Sequence, residues 1–204
     1  MKFEDFKDYI KETKYPTIVE TIEAMCDEMA EDELYDHMEQ VAEVAVMLSE
    51  HYNLNTDDAY LTGFLHDVGR LIDPDEYLDI LKQYDVTISD EEMQVQDVLH
   101  GKIANIIVKE VFNIQSPDIS NGILYHTTLR KDATDFEKVI FLADKMTWSY
   151  DDLVYDIEET VFQNLNVACY HALNWIIDHL KKKNGLILDR TEKAHHHFKN
   201  KMIL

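Results

Sequence analysis

His66 and Asp67 stand side by side in Gly63-Phe64-Leu65-His66-Asp67-Val68-Gly69-Arg70, so an imidazole and a carboxylate share one point of the backbone. The residues before them are apolar and expected to be buried. A charged carboxylate is costly there unless it is paired or bound to a metal. One such dipeptide is weak evidence, but further ligand types occur along the chain. His37 lies upstream in Asp36-His37-Met38. Downstream come His100 in Val98-Leu99-His100-Gly101, His126 in Leu124-Tyr125-His126-Thr127-Thr128, and Asp144 in Leu142-Ala143-Asp144-Lys145. Each falls on or just beyond the apolar face of a helix predicted from periodicity, where a ligand pointing into a shared interior would sit. Taken singly, a histidine in such a place is more often a hydrogen-bonded core or surface side chain. As a set, imidazoles and carboxylates without cysteine favour iron, manganese, magnesium or, less often, zinc.

The order His…His-Asp…His…His…Asp resembles the HD-domain metal-dependent phosphohydrolases. More narrowly, it is similar to the symmetrical diadenosine tetraphosphate hydrolases. Three segments carry the closer match: Gly63-Phe64-Leu65-His66-Asp67, His126-Thr127-Thr128-Leu129-Arg130, and Glu137-Lys138-Val139-Ile140-Phe141-Leu142-Ala143-Asp144. The resemblance implies that His37, His66, Asp67 and Asp144 hold one metal and that His100 and His126 hold a second, with Asp67 bridging. It also implies phosphate contacts at Arg70, Thr127 and Arg130. Arg70 stands where the family usually carries lysine, and Leu129 where it usually carries glycine. After Asp144 the family usually continues with a Glu-Pro-Asn-Arg-like segment. Here that stretch is Lys145-Met146-Thr147-Trp148-Ser149-Tyr150, with Trp148 in the proline place and Tyr150 in the arginine place. Trp148 and Tyr150 are readable as base-stacking residues or as core packing.

Helices must deliver these side chains. Phe3, Phe6 and Ile10 recur at helical spacing, as do Ile18, Ile22, Met25 and Met29, then Leu34, Met38, Val41, Ala45 and Leu48. Thr56 is the expected cap of a helix running to His66-Asp67, and Asp73-Pro74 an N-cap with proline at the first helical position. Ser89 with Glu92 fits a capping box. Ser116-Pro117 and Thr134 open two more helices, and Lys181-Lys182-Lys183-Asn184-Gly185 ends a long one with a cationic turn and a glycine. Thr191 is the expected cap of a last short helix. Strand-like alternation is confined to Leu186-Ile187-Leu188. The expected fold is all-α, an HD-domain helical bundle, divided into an N-terminal helical extension (1–30), the HD domain (31–183) and a C-terminal tail packed on it (184–204).

At 204 residues, with 46% apolar and 29% charged residues, the chain has the composition of a soluble globular domain. It carries no apolar run long enough for a membrane helix and no secretion signal at its start, so the expected location is cytoplasmic. Cys26 and Cys169 are too few for a disulfide framework. The formal charge of −22 argues against nucleic acid as a partner and repels any anionic substrate at long range. A phosphate site must then make its own positive potential from metals and nearby arginine or lysine. His51, His171 and His179 match nothing in the pattern. His195-His196-His197 suggests a chelating triplet, but consecutive helical residues point in different directions, which favours a solvated face.

The function these residues and the resemblance imply is hydrolysis of dinucleoside polyphosphates, with symmetrical cleavage of diadenosine tetraphosphate to two ADP by a metal-held hydroxide. An iron pair is the expected cofactor, divalent or mixed-valence, with manganese or magnesium as alternatives. The expected partners are a small-molecule nucleotide and, at most, a second copy of the chain as a homodimer, with no nucleic acid and no membrane. Two other readings stay open: an HD-domain phosphohydrolase acting on another nucleotide or phosphomonoester, and a nucleotide-binding sensor without turnover.

Overall fold

The computed structural model describes residues 1–148 and 151–201. Tyr150, named above as a candidate stacking residue, lies outside them. Among the described residues the fold is helical with no strand, as the periodicity predicts. The helices are α1 (Phe3–Glu12), α2 (Ile18–Met29), α3 (Asp32–His51), α4 (Thr56–Leu65), α5 (Tyr77–Gln83), α6 (His100–Ile106), α7 (Pro117–Tyr125), α8 (Asp135–Met146), α9 (Asp151–Val161), α10 (Leu165–Lys182) and α11 (Asp189–Lys201). Short 3₁₀ turns join several of them, and α6 continues as one π turn over Ile107–Val111.

α3 packs along α4 and α8, α7 against α4, α6 and α8, and α10 against α8, α9 and α11. One part of the core gathers Phe3 and Phe6 of α1, Ile22 and Met25 of α2, Met38 of α3, Phe64 of α4 and Ile103 of α6. The other gathers Val41 and Ala45 of α3 with Ile140 and Phe141 of α8, Leu173 of α10 and Phe198 of α11. Each such side chain contributes about 1.5–3 kcal/mol by leaving water, which fixes the helices well beyond what local propensity could do.

Two glycines allow the close approaches that shape the centre of the bundle. A Cβ on Gly63 would lie 2.7 Å from Ala42 Cα, so α4 rests directly on the α3 backbone. A Cβ on Gly69 would lie 2.3 Å from the His100 carbonyl oxygen. The turn after His66-Asp67 therefore presses against the start of α6.

Capping follows the sequence in some places and departs from it in others. Ser116 caps α7, and Thr134 forms a full capping box with Glu137 at α8. Asp73 caps a 3₁₀ turn that leads into α5. Ser89 and Glu92 do exchange their two hydrogen bonds, but they close a pair of 3₁₀ turns ahead of α6 and do not open a long helix. Thr56 is not the α4 cap: Asn55 accepts from the amides of Asp57 and Asp58, and Thr56 is the first helical residue. Thr191 is not a cap either; it is buried inside α11, which begins at Asp189. The chain leaves α10 through Asn184 at φ 52°, while Gly185 returns its amide to Leu180 O. Leu129, which follows α7 and returns its amide to Tyr125 O, is buried at φ 54°. It holds a left-handed conformation that costs a non-glycine residue about 1–2 kcal/mol.

Candidate metal centre

Five elements meet to bring the six residues together. His37 comes from α3, His66 and Asp67 from the C-terminal end of α4, His100 from the start of α6, His126 from the end of α7, and Asp144 from the last turn of α8. All but His37 are buried. Three overlapping groups offer ligand atoms within 4.8 Å of one another: His37, His66 and Asp67; His66, His126 and Asp144; Asp67, His100 and His126.

The local fold sets the tautomers. His66 Nδ1 lies 2.6 Å from Gly63 O and His126 Nδ1 2.7 Å from Ile123 O, and His100 Nδ1 bonds to Asp97 O. In each case the acceptor is the carbonyl three residues earlier, at the frayed end of a helical turn. Nδ1 must therefore carry the proton, and Nε2 turns a bare lone pair toward the centre. His37 sits with Nδ1 at 3.4 Å from Thr147 Oγ1, whose hydroxyl donates to Asp144 O.

These bare acceptors face one another. His100 Nε2 is 2.9 Å from His126 Nε2 and 2.9 Å from Asp67 Oδ1; His126 Nε2 is 3.5 Å from the same oxygen. On the other side, Asp67 Oδ2 lies 3.8 Å from His37 Nε2 and 3.6 Å from His66 Nε2. Asp144 Oδ1 lies 3.4 Å from His37 Nε2 and 3.9 Å from His66 Nε2. His66 Nε2 and Asp67 Oδ1 are buried with no hydrogen-bond partner among the described residues. A cluster of lone pairs with no proton between them repels itself. A cation coordinated by those atoms removes the repulsion, so the residues present fit metal ions.

Protonation states agree with that fit. Burial pushes His66 down to about 4 and also lowers His126, so both imidazoles are neutral near pH 7. Burial, the largest single influence, opposes ionisation of Asp144, but the Lys145 ammonium together with His37, His66 and His126 outweighs it and holds the carboxyl below the usual carboxylate range. Asp67 is likewise held well below that range in spite of its burial, His66 being the largest influence in that direction. Neutral imidazoles and ionised carboxylates are the forms that bind metals.

Of the expected phosphate contacts, Arg70 and Arg130 are held in ion pairs and Thr127 lies beside His126. Arg70 donates from Nε to Asp67 Oδ2 at 2.8 Å and from Nη1 to Asp97 Oδ1 at 3.1 Å. Arg130 grips Glu137 with Nε and Nη2, both at 2.6 Å, and lies over the Tyr125 ring. Thr127 Oγ1 is 3.0 Å from His126 Nε2. His51 binds Phe162 O, and His195 packs on Tyr170 while His196 is exposed; the His195–His197 run is thus splayed.

Sequence reasoning gave no role at the centre to Lys145 or Asp97, and it left Trp148 between base stacking and core packing. Lys145 is fully buried; its ammonium bonds Asp144 Oδ2, lies 3.3 Å from His126 O, and sits 4.3 Å from the centre of the Trp148 ring. Trp148 Nε1 donates to Asp144 Oδ1 at 3.2 Å. Asp97 serves twice, through its carbonyl to His100 and its carboxylate to Arg70. Lys145 shows in the sequence as a second charge, next to Asp144, directly after the apolar run Val139–Ala143.

Fold and site together define an all-helical protein built around a buried histidine–aspartate centre suited to metal ions. The HD domain family model matches residues 34–149, which include all six residues. A symmetrical bis(5'-nucleosyl)-tetraphosphatase of Staphylococcus aureus is 32% identical over 126 residues, 62% of this chain and 64% of that protein; the chain thus spans under two thirds of that relative. One of Halalkalibacterium halodurans is 30% identical over 162 residues, 77% of this chain and 84% of that protein. A crystal structure of a predicted HD superfamily hydrolase involved in NAD metabolism from Clostridium acetobutylicum superposes with a TM-score of 0.78 over 98% of both chains, at 23% identity. The chain belongs to the HD domain family. Among the described residues no helix is long and apolar enough to cross a membrane.

Proposed function

We propose that the protein hydrolyses dinucleoside polyphosphates and cleaves diadenosine tetraphosphate symmetrically, adding one water to release two ADP. The observation that carries this reading is the convergence of unprotonated Nε2 atoms and ionised carboxylates around Asp67. The names of the two relatives at 30–32% identity supply the substrate class.

The ligands in this proposal are His37, His66, Asp67 and Asp144 for one metal, and Asp67, His100 and His126 for the other. Asp67 suits the bridging place because Oδ1 faces His100 and His126 while Oδ2 faces His37 and His66. An iron pair is the proposed cofactor, with manganese or magnesium as alternatives; when bound, such ions supply positive charge that acidifies water and neutralises the phosphoryl oxygens. Arg70 fixes Asp67 through Nε and keeps Nη2 for a phosphate oxygen, its side chain being about two-fifths exposed at 39%. Thr127 offers a hydroxyl beside His126, and Arg130 a guanidinium held in place by Glu137. Burial of Asp67 and Asp144 excludes water that would otherwise screen these charges.

Elemental analysis of freshly purified protein should find about two metals per chain, and Asp67→Ala should lose both the metals and turnover. The product should be ADP without inorganic phosphate. Release of inorganic phosphate would move the reading to a phosphomonoester, and full activity in metal-free Asp67→Ala would overturn it.

A further inference from the structure

Three of the four histidines take their Nδ1 acceptor from the carbonyl three residues earlier, at a helix end where that oxygen is free. His37 has no such choice. It stands inside α3, whose carbonyls accept main-chain amides along the helix. Its Nδ1 meets a side chain from another element instead, Thr147 Oγ1 at 3.4 Å, just past the end of α8. A hydroxyl has one proton, and Thr147 gives it to Asp144 O at 2.8 Å. The oxygen therefore faces His37 as an acceptor, and the imidazole proton belongs on Nδ1. With the proton on Nε2, that nitrogen would turn it toward Asp144 Oδ1, 3.4 Å away, and have no lone pair for a metal.

The next residue acts on the carboxylate. Trp148 Nε1 donates to Asp144 Oδ1 at 3.2 Å, while the Lys145 ammonium holds Oδ2. Both oxygens are thus fixed, with Oδ1 turned to His37 and His66. The indole is itself braced edge-on by the Trp175 ring at 6.3 Å. The Thr147 and Trp148 contacts fall on His37 and Asp144, two ligands assigned to the same metal place, whereas His100 and His126 take theirs from carbonyls of their own segments.

We propose that Thr147 and Trp148 are positioning residues for the metal place formed by His37, His66, Asp67 and Asp144, and that they set its affinity independently of its neighbour's. Partners of this kind fix the tautomer and orientation of a ligand and strengthen its hold on the ion. Both lie in the stretch after Asp144 where the chain departs from the usual family pattern, so this place is tuned by residues particular to this chain. The inference rests on the reading that the centre holds two metal ions.

Manganese titration of the chelated protein, with the free ion followed by electron paramagnetic resonance, reads each binding event. Thr147→Val keeps the shape and removes the acceptor; Trp148→Phe keeps an aromatic ring and removes the N–H. Each should weaken one event by about 10–100-fold and leave the other unchanged. Thr147→Ser, which keeps the hydroxyl, should restore wild-type binding. In a His37→Ala background Thr147→Val should change nothing further, because the group it acts through is gone. A merely structural role would instead lower the melting temperature and weaken both events together. The two positions are separate, so Trp148→Phe covers the case of a Thr147 variant that fails to fold. Unchanged affinity in both variants, equal weakening of both events, no rescue by serine, or a Thr147→Val loss that persists without His37 would overturn this inference alone. Wild-type protein that takes up no manganese would overturn it together with the two-metal reading.

Discussion

Lys145→Met tests the charge balance of the centre. Methionine keeps most of the length and volume of lysine and removes only the ammonium. In the metal-free protein that ammonium is the cation bonded to Asp144, at a position with no solvent exposure. Removing one partner of a buried pair strands the other, at about 3–5 kcal/mol. Loss of the contacts with the Trp148 and Phe141 rings, at 4.3 and 5.2 Å, adds about 0.5–2 kcal/mol. The two losses come to about 3.5–7 kcal/mol, and a chain of this size melts about 2–4 °C lower per kcal/mol, so the metal-free variant should lose at least ~7 °C and up to ~28 °C.

The metal-loaded variant should behave differently. If Asp144 is a ligand, a bound cation takes over the neutralisation that Lys145 provided, and the penalty falls to less than half. Linkage then requires the metal to bind the variant more tightly by the same free energy, so the melting shift on adding manganese must grow. Thermal unfolding followed by circular dichroism, with and without manganese after chelation, measures both numbers. Equal losses in the two states would show that Lys145 is a packing residue and that Asp144 does not meet the metal.

Leu129 and Glu92 give two further tests. At φ 54° glycine is the unstrained residue, so Leu129→Gly should be more stable than Leu129→Ala by about 1 kcal/mol in urea titration, the reverse of their usual order. Glu92 is buried between Lys102 and Arg190. Burial opposes its ionisation, yet the Lys102 hydrogen bond and its other partners outweigh that and lower it from 4.5. A depressed carboxyl stabilises the fold above its unfolded value and loses that contribution as pH falls through the folded one. The stability gap between wild type and Glu92→Gln, measured from urea midpoints, should therefore be full at pH 6 and shrink steadily below about pH 4.5. A gap that widens on acidification would refute the assignment.

Much of the helical order was legible because apolar stripes at helical spacing leave few alternatives, and Ser116 and Thr134 are strong caps. Errors came where two neighbours could play one part. Asn55 and Thr56 both suit an N-cap, and only the three-dimensional path shows that Asn55 reaches two amides. Asn184 and Gly185 both suit a left-handed exit, and asparagine takes it. Thr191 is governed by burial against other helices, which local pattern does not contain. At the centre, ligand types were visible from residue identity, but their meeting was not, since five elements separated by up to 107 positions must pack first. The i−3 carbonyls that fix three histidine tautomers, and the Trp148 bond to Asp144, follow from helix ends and ring orientations that a sequence does not specify.

Charge gives the centre its final constraint. The chain carries 22 more acidic than basic residues, so a polyphosphate approaches against the net field. The cations at hand do not reverse this locally, because each is already matched: Arg70 by Asp67 and Asp97, Lys145 by Asp144, and Arg130 by Glu137. These pairs hold ligands and walls in place, yet their summed charge is negative. In the proposed reaction, positive potential at the phosphorus would therefore come from ions held by Asp67, Asp144 and the four histidines, and the arginines would add direction to a site whose charge they do not dominate. Raising ionic strength should accordingly speed association of the anionic substrate, by screening the repulsive surface more than the buried centre.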